Sequence, residues 1–337
     1  MTDARATEPA LTEPWTLGGH RLPNRLVLAP LAGIGNWFVR LQAKRYGAGL
    51  AISEMVSSFG LKHGDPRTQR EFLRIHPDEH PVSIQLFGHD PEVMAVAAEM
   101  VARAGADLID LNMGCPVRKV CKTGAGASLL ADPDRAVAIA RAARAGSGLP
   151  VTVKLRPGQR PGERTGVDLA ERLVDEAGVA GIAFHPRHAS QEHRGGPDYA
   201  LAAELVERLG APLILSGGLS SDAATRDAFE RTGAAAVMLA RGSLGDPWRF
   251  ERLLGRRSGP PTRAEVVREL LWVIDRAEEH LGVERAGRYL RKCYPWYATT
   301  MGLSRAQQRP LVEAPTTAEA RCALAGLAAP MERPLAA

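Results

Sequence analysis

The chain has 337 residues, of which 45% are hydrophobic, and its formal net charge is +5. This composition can bury one large core and a second, smaller one. Four cysteines, with no signal-peptide pattern and no apolar run of about 18 residues, argue against a secreted disulfide scaffold and against a membrane protein. We therefore expect a reduced, soluble, cytoplasmic protein with no membrane association and no stable protein partner.

The positive charge is concentrated towards the C-terminus. Residues 256–321 contain 12 Lys and Arg residues and 8 Asp and Glu residues, so this stretch supplies most of the excess. Charge alone leaves two interpretations open, a solvated helical face or a surface that binds nucleic acid.

Residues 1–14 show no periodicity and predict a flexible N-terminal tail. After them, eight short runs rich in Leu or β-branched residues predict eight strands. These strands are predicted at 25–30, 50–55, 82–87, 108–113, 151–156, 181–186, 213–218 and 236–241. Alanine-rich stretches whose apolar residues recur every three or four positions lie between most of them and predict helices, for example at 91–103, 133–145, 167–177 and 222–231.

Glycine often follows the helical pattern just before the next strand, as a helix C-cap would, at Gly105, Gly178, Gly210 and Gly233. Eight repeats of strand and helix over roughly 250 residues predict an α/β fold of the (β/α)8 TIM-barrel type. A doubly wound sheet is the alternative, but no Gly-x-Gly-x-x-Gly motif follows the first strand.

In a barrel of this type the chemistry gathers at the carboxyl ends of the strands. Almost all of these ends are polar or glycine-rich in this sequence. They carry Pro30-Leu31-Ala32-Gly33, Glu54, Gln85, Asn112 with Cys115, Lys154 with Arg156, His185 with Arg187, Ser216-Gly217-Gly218 and Ala240-Arg241-Gly242. The last two segments follow strands seven and eight, where barrels commonly bind a phosphate group through exposed backbone N–H groups.

Lys154 lies in an apolar strand and needs an anionic or electron-rich partner. It could form a Schiff base, lie beside the N1/O2 edge of a flavin, or extend to the barrel mouth with no role in chemistry. Gln85, an amide that can donate and accept, suits the pyrimidine edge of a flavin.

Cys115 follows the fourth predicted strand in a Gly-Cys-Pro turn, with Arg118, Lys119 and Lys122 nearby. The spacing to Cys121 is not that of a zinc site, so we expect no metal. The turn and its cations favour an accessible, functional thiol over a buried structural cysteine. Cys121, Cys293 and Cys322 are interpreted as structural.

These motifs resemble those of the tRNA-dihydrouridine synthases, flavin enzymes that reduce the C5–C6 double bond of specific uridines in tRNA. The similar segments are Ala29-Pro30-Leu31-Ala32-Gly33, Gln85-Leu86-Phe87-Gly88, Asn112-Met113-Gly114-Cys115-Pro116, Val153-Lys154-Leu155-Arg156, and His185 with Arg187, Gln191 and Gly195. The resemblance runs from about residue 22 to about residue 302.

The resemblance implies that NADPH reduces a bound FMN, that a flipped-out uridine takes hydride at C6, and that Cys115 donates the proton to C5. It implies that FMN is held by Pro30, Leu31, Ala32, Gln85, Lys154, Ser216, Gly217, Gly218, Ala240 and Arg241. For the RNA we expect contacts from Asn112, His185, Arg187, Arg118 and Lys119.

Arg285, Arg288 and Lys292 recur at helical spacing and add a further expected tRNA contact, with Tyr289, Tyr294, Trp296 and Tyr297 among them. Aromatic residues at such spacing are often core, so we expect Trp296 and part of this cluster to be buried.

The predicted domains are an FMN-binding barrel at 15–255, a helical tRNA-binding domain at 256–315 and a loose tail at 316–337. Two rival functions remain open: a flavin-dependent barrel that reduces a free pyrimidine or another small molecule, and a non-catalytic RNA-binding protein.

Overall fold

The computed structural model describes residues 10–64, 66–192 and 194–328, and it divides the chain into two compact units between Gly242 and Ser243. The first unit begins with an antiparallel hairpin of β1 (Trp15–Leu17) and β2 (His20–Leu22). Leu11 is buried, and its carbonyl accepts a hydrogen bond from the backbone N–H of Arg25. The predicted flexible tail is therefore wrong for residues 10–14, while residues 1–9 lie outside the described ranges.

A closed parallel barrel follows the hairpin. Its strands are β3 (Leu26–Leu28), β4 (Leu50–Ile52), the short β5 (Val56–Ser57), β6 (Val82–Phe87), β7 (Leu108–Asn112), β8 (Val151–Leu155), β9 (Gly181–Phe184), β10 (Leu213–Ser216) and β11 (Ala236–Leu239). Each of the eight longer strands pairs in parallel with its neighbours, β11 pairs with β3, and the pairing of β4 with β6 closes the ring. The predicted (β/α)8 barrel is confirmed.

Helices surround this barrel. They are α1 (Trp37–Arg45), α2 (Ser58–Lys62), α3 (Pro66–Phe72), α4 (Pro91–Arg103), α5 (Arg118–Cys121), α6 (Pro133–Ser147), α7 (Thr165–Asp175), α8 (Tyr199–Arg208) and α9 (Asp222–Thr232), with 3-10 turns at Pro77–Glu79, Gly126–Ala131, Ala189–Gln191 and Arg241–Ser243. Local sequence explains several of their ends. Asp90 and Asp132 cap α4 and α6 just before a proline, and Gly233 ends α9 in the left-handed conformation.

The second unit is helical. It contains α10 (Trp248–Leu253), α11 (Arg263–Leu281), α12 (Val283–Leu290), α13 (Tyr294–Thr300), α14 (Arg305–Val312) and α15 (Thr317–Ala328). A capping box between Thr262 and Glu265 starts α11, and buried apolar residues such as Leu270, Leu290 and Leu324 form the core of the unit. None of the helices in the described ranges is long and apolar enough to cross a membrane.

Two predicted boundaries differ from the structure. The second unit starts at Ser243 rather than at 256, because Gly245 packs directly against the backbone of Trp296: a Cβ there would lie 2.5 Å from the Trp296 carbonyl carbon. Residues 317–328 are also not a loose tail. They form α15, in which Leu324 is buried and Arg321 binds Asp275 of α11 at 2.7 Å.

Candidate active site

A pocket of about 570 Å³ opens at the carboxyl ends of the barrel strands. Most of the predicted site residues line it. They are Pro30, Ala32, Gln85, Asn112, Cys115, Lys154, His185, Arg187, Ser216, Gly217, Gly218, Ala240 and Arg241. Met55, Arg156 and Ser220 line the same pocket. Residues that are far apart in the sequence thus converge on one site.

Three predicted residues of the barrel do not line this pocket. Leu31 is buried beside it, and Arg118 and Lys119 are exposed on α5, just beyond the Cys115 turn.

A continuous series of hydrogen bonds crosses the floor of the pocket. The Gln85 Nε2 atom donates to the Asp110 carboxylate at 2.7 Å, and the Asn112 Nδ2 atom donates to the Gln85 Oε1 atom at 3.0 Å. The Asn112 Oδ1 atom in turn accepts from the backbone N–H groups of Cys115, at 3.0 Å, and Gly114, at 3.3 Å. The loop that carries the thiol is thus tied to buried side chains of two strands.

Cys115 is half-buried at the pocket wall. Its carbonyl accepts hydrogen bonds from the Ala127 N–H at 3.0 Å and from the Cys121 thiol at 3.3 Å. Gly126 packs so closely on this turn that a Cβ there would lie 2.7 Å from the Cys115 carbonyl oxygen. Burial raises the pKa of the Cys115 thiol, so at neutral pH the sulfur holds its proton.

Lys154, which lines the pocket, and the fully buried Asp110 are ionisable groups of opposite charge whose charges interact. Burial lowers the pKa of Lys154 to about 8, with Arg156 lowering it further and Asp110 raising it. Burial raises the pKa of Asp110 to about 6, against hydrogen bonds from Thr152 and Gln85 and the attraction of Lys154. At pH 7 an ammonium in the pocket and a carboxylate buried below it therefore both have pKa values close to neutral pH.

Arg156 anchors the loop that follows β9. Its guanidinium donates to the backbone carbonyls of Arg187, His188 and Glu192 at 3.2 Å. Burial lowers the pKa of Arg156 to about 10, which leaves it charged at neutral pH. Within the described part of the chain, the Arg187 Nε atom is buried and has no hydrogen-bond partner.

Gly217 lets the turn after β10 approach His185. Its φ is +94°, and a Cβ there would lie 2.2 Å from the imidazole ring of His185. The Gly217 carbonyl accepts a hydrogen bond from the Tyr199 hydroxyl at 3.1 Å. A glycine is thus required at this turn, both for its backbone conformation and for the space that it leaves.

Sequence reasoning gave no role to Asp110 or Thr152, and it left Arg156 out of the predicted site. A usable signal existed for Asp110. It stands two positions before Asn112 in an otherwise apolar strand, so the two side chains share one face of β7. A carboxylate that points into a barrel needs polar partners there.

The three predicted cations of the second unit, Arg285, Arg288 and Lys292, are exposed on or just after α12. The Lys292 Nζ atom lies 5.1 Å from the centre of the Tyr289 ring. The expectation for the aromatic residues is confirmed for Tyr294 and Tyr297, which are buried, and wrong for Trp296, which stays partly exposed.

Among the described residues, no group of three or more His, Cys, Asp and Glu side chains could hold a metal ion. The site is therefore built from a thiol, an ammonium, two amides, a buried carboxylate and glycine-rich turns at the mouth of a parallel barrel. Fold and site together define a (β/α)8 barrel protein with a thiol-bearing polar pocket at the carboxyl ends of its strands.

The comparisons with known proteins specify this class further. Residues 27–328 match the family model described as "Dihydrouridine synthase (Dus)", which spans both units of the chain. The chain belongs to the dihydrouridine synthase family and is an oxidoreductase.

Curated relatives cover most of the chain. A "tRNA-dihydrouridine synthase B" of Xanthomonas axonopodis pv. citri is 34% identical over 91% of this chain and 93% of the relative. The protein of the same name from Pseudomonas aeruginosa is 34% identical over 85% and 87%. A "Probable tRNA-dihydrouridine synthase 1" of Synechocystis is 36% identical over 85% and 81%.

Solved structures share the barrel. A morphinone reductase superposes with a TM-score of 0.56 at 18% identity and covers 76% of this chain and 92% of its own. At this identity the likeness concerns the fold.

Proposed function

We propose that this protein is a tRNA-dihydrouridine synthase that binds FMN, uses NADPH as reductant and reduces the C5–C6 double bond of uridines in tRNA. The observation that carries the proposal is the convergence of Cys115, Lys154, Gln85 and the glycine-rich turns on one pocket. The family match across both units supports it further.

The residues of the pocket fit FMN. Ser216, Gly217 and Gly218 on one turn and Ala240 and Arg241 on the next offer backbone N–H groups and a cation for the phosphate. Pro30 and Ala32 line the pocket and Leu31 packs beside it, so these three suit the flavin ring.

Lys154 and Gln85 suit the polar edge of the flavin. After its bonds to Asp110 and Asn112, the Gln85 amide retains one N–H and one lone pair for a ligand. Lys154 supplies a cation beside the same edge. FMN held there would supply hydride chemistry, namely acceptance of a hydride from NADPH and its transfer to C6 of the uracil ring.

Cys115 supplies the proton that completes the reduction. Its raised pKa keeps the thiol protonated, and the Asn112 side chain fixes its backbone beside the pocket. A general acid needs both its proton and a fixed position. Cys115 has both, and it therefore donates its proton to C5 of the bound uracil ring.

The remaining predicted contacts are assigned to RNA. Asn112, His185 and Arg187 line the pocket where a flipped uridine enters, while Arg118 and Lys119 are exposed beside the Cys115 turn. The exposed cations of the second unit, Arg285, Arg288 and Lys292, face solvent and suit phosphates of the same tRNA.

The test is NADPH oxidation by the purified, FMN-loaded protein under anaerobic conditions with an unmodified tRNA transcript, with uridine monophosphate as the matched small substrate. We expect oxidation with the transcript, one dihydrouridine per NADPH, and none with the mononucleotide. Oxidation that proceeds equally with the mononucleotide would instead identify a small-molecule reductase. A protein that binds tRNA but oxidises no NADPH would identify a non-catalytic RNA-binding protein.

A further inference from the structure

Asp110 is fully buried below the pocket and takes no part in the proposed chemistry. The strand register places it directly beside Gln85 of β6 on one side and Thr152 of β8 on the other. Its two oxygens accept from these neighbours: one from the Gln85 Nε2 atom at 2.7 Å, the other from the Thr152 hydroxyl at 2.6 Å. Three adjacent strands thus meet at this carboxylate.

The two amide side chains above Asp110 each have a donor end and an acceptor end of nearly identical shape. A carboxylate only accepts, so the end of Gln85 that faces Asp110 must be its NH2 group. Its oxygen then faces Asn112, which must present its own NH2 group, as the 3.0 Å bond between them requires.

The far end of the series is equally fixed. The backbone N–H groups of Gly114 and Cys115 only donate, and they face the Asn112 Oδ1 atom. An acceptor at the bottom and donors at the top therefore allow one orientation of Gln85 and one of Asn112. If either amide rotated by 180°, two donors or two acceptors would face each other inside a buried site, which would strongly raise the free energy of the folded state.

We propose that Asp110 is a positioning residue that orients Gln85 and Asn112 and so holds the Cys115 turn in its place. The consequence for proton transfer rests on the proposed function, whereas the effect on the Cys115 thiol does not. Asp110 acts through two intervening side chains and touches neither the thiol nor the pocket space.

The test exchanges the donor and the acceptor in the hydrogen bond between residues 85 and 110. In Asp110→Asn the buried group has a donor end as well as an acceptor end, so it accommodates Gln85 in either orientation, and the order of the amides then rests on the backbone donors of Gly114 and Cys115 alone. In Gln85→Glu two carboxyl groups face each other and are compatible only when they share a proton, which is lost as the pH rises. In the double variant the carboxylate introduced at position 85 accepts from the amide at position 110 and from Asn112, which restores a single orientation of Asn112.

The first readout is the rate of Cys115 alkylation by iodoacetamide in the protein without FMN, measured by mass spectrometry. Trypsin cleaves after Arg118 and Lys119, so Cys115 and Cys121 fall in separate peptides. For Asp110→Asn we expect roughly tenfold faster alkylation at pH 7, because a released turn exposes the thiol and lets its pKa fall towards the ordinary value. The rate of Cys115 alkylation in the double variant should be within about threefold of the rate in the starting protein.

Thr152→Val is the matched control. It removes the other hydrogen bond to the same carboxylate but leaves the acceptor that faces Gln85. We expect a lower melting temperature with unchanged alkylation of Cys115. If Asp110 serves stability alone, Asp110→Asn and Thr152→Val will behave alike.

The second readout is the pair of half-reactions in the FMN-loaded protein. We expect Asp110→Asn to slow reoxidation by tRNA about 10- to 100-fold, with flavin reduction by NADPH nearly unchanged, as for a misplaced acid. If alkylation responds but tRNA-dependent reoxidation is absent in the starting protein as well as in every variant, the positioning role stands and the proposed function is wrong.

Equal rates of Cys115 alkylation in Asp110→Asn and in the starting protein overturn the proposal. A double variant whose alkylation rate is raised by as much as the two single changes combined also overturns it. If Asp110→Asn does not fold, the pH dependence of Cys115 alkylation in Gln85→Glu tests the positioning role of Asp110 by itself. Relative to the starting protein, Cys115 alkylation in this variant should become faster from pH 7, where Asp110 of the starting protein is a carboxylate, towards pH 8.5, and a constant ratio across this range overturns the proposal.

Discussion

Below the mouth of the barrel, buried polar side chains are joined to one another by hydrogen bonds, whereas on α12 the charged side chains are exposed. Asp110, Gln85 and Asn112 hold each other in one arrangement through short hydrogen bonds. Arg285 and Arg288 are exposed, and the buried side of their helix carries small and apolar residues. A reaction at a double bond needs groups fixed within fractions of an ångström, but attraction to a polyanion tolerates movement. We therefore propose that the first unit performs the chemistry and that the second contributes electrostatic binding.

The largest expected effect separates the two half-reactions at the barrel. In Cys115→Ala, reoxidation of the reduced flavin by tRNA should slow about 10²- to 10⁴-fold, the usual contribution of a positioned acid. FMN content and flavin reduction by NADPH should not change, because the thiol takes no part in them. Stopped-flow absorbance measures each step.

Cys121→Ser is the control for that experiment, since the Cys121 thiol donates to the backbone carbonyl of Cys115 and a serine hydroxyl can do the same. Unchanged reoxidation in Cys115→Ala would assign the proton to another donor, with His185 and His188 the first to test.

A smaller effect concerns Lys154 and the cofactor. Loss of a charged hydrogen bond in Lys154→Met should weaken FMN binding about 10- to 100-fold, measured by fluorescence quenching of the free flavin. Normal FMN affinity in this variant would remove Lys154 from the cofactor site, and an imine trapped at Lys154 by borohydride would replace the flavin account with Schiff-base chemistry.

The pH dependence of FMN binding tests whether the charge of Lys154 contributes to cofactor affinity. Burial lowers the pKa of Lys154 to about 8, so the ammonium is charged below that pH and loses its proton above it. Bound FMN favours the charged form, so affinity should begin to fall above pH 8 as the pH rises. Lys154→Arg should bind more weakly but with no such fall up to pH 10, because a guanidinium keeps its charge. A wild-type affinity that is level from pH 7 to pH 10 would contradict the assignment.

The smallest effect per residue is expected on α12. Each neutralised phosphate contact should reduce the slope of log affinity against log salt by roughly 0.7–0.9, because fewer counterions are released. The variant Arg285→Ala, Arg288→Ala, Lys292→Ala should therefore bind tRNA more weakly and with a flatter salt dependence, measured by filter binding.

The control for that variant is Arg263→Ala, at the start of α11 and outside the α12 cluster. If the triple variant keeps the starting affinity and slope, its cations form a solvated face, and Arg118, Lys119 and Lys122 become the RNA contact to test.

The sequence alone was sufficient to predict the barrel and most of the residues that line the pocket. Strands buried on both faces read as short apolar runs, and the strand 82–87 was predicted with its observed bounds. Once a barrel is assumed, its strand ends converge, so Gln85, Cys115 and Lys154 could be placed in one site without coordinates.

The remaining features depend on contacts between distant residues. The role of Asp110 follows from the register of β6, β7 and β8, which a single sequence does not display. The start of the second unit depends on how closely Gly245 packs on Trp296, and the order of residues 317–328 on the pairing of Arg321 with Asp275. Local patterns cannot identify such partners.

The central claim is that this barrel reduces uridines of tRNA through Cys115. The most direct measurement maps dihydrouridine across the tRNA of a strain that lacks the protein and of the same strain supplied with the wild-type chain or with Cys115→Ala. We predict that dihydrouridine is missing at one or more positions in the deletion strain, returns with the wild-type chain and stays missing with Cys115→Ala. An unchanged dihydrouridine map in the deletion strain, with no other synthase present to compensate, would contradict the account.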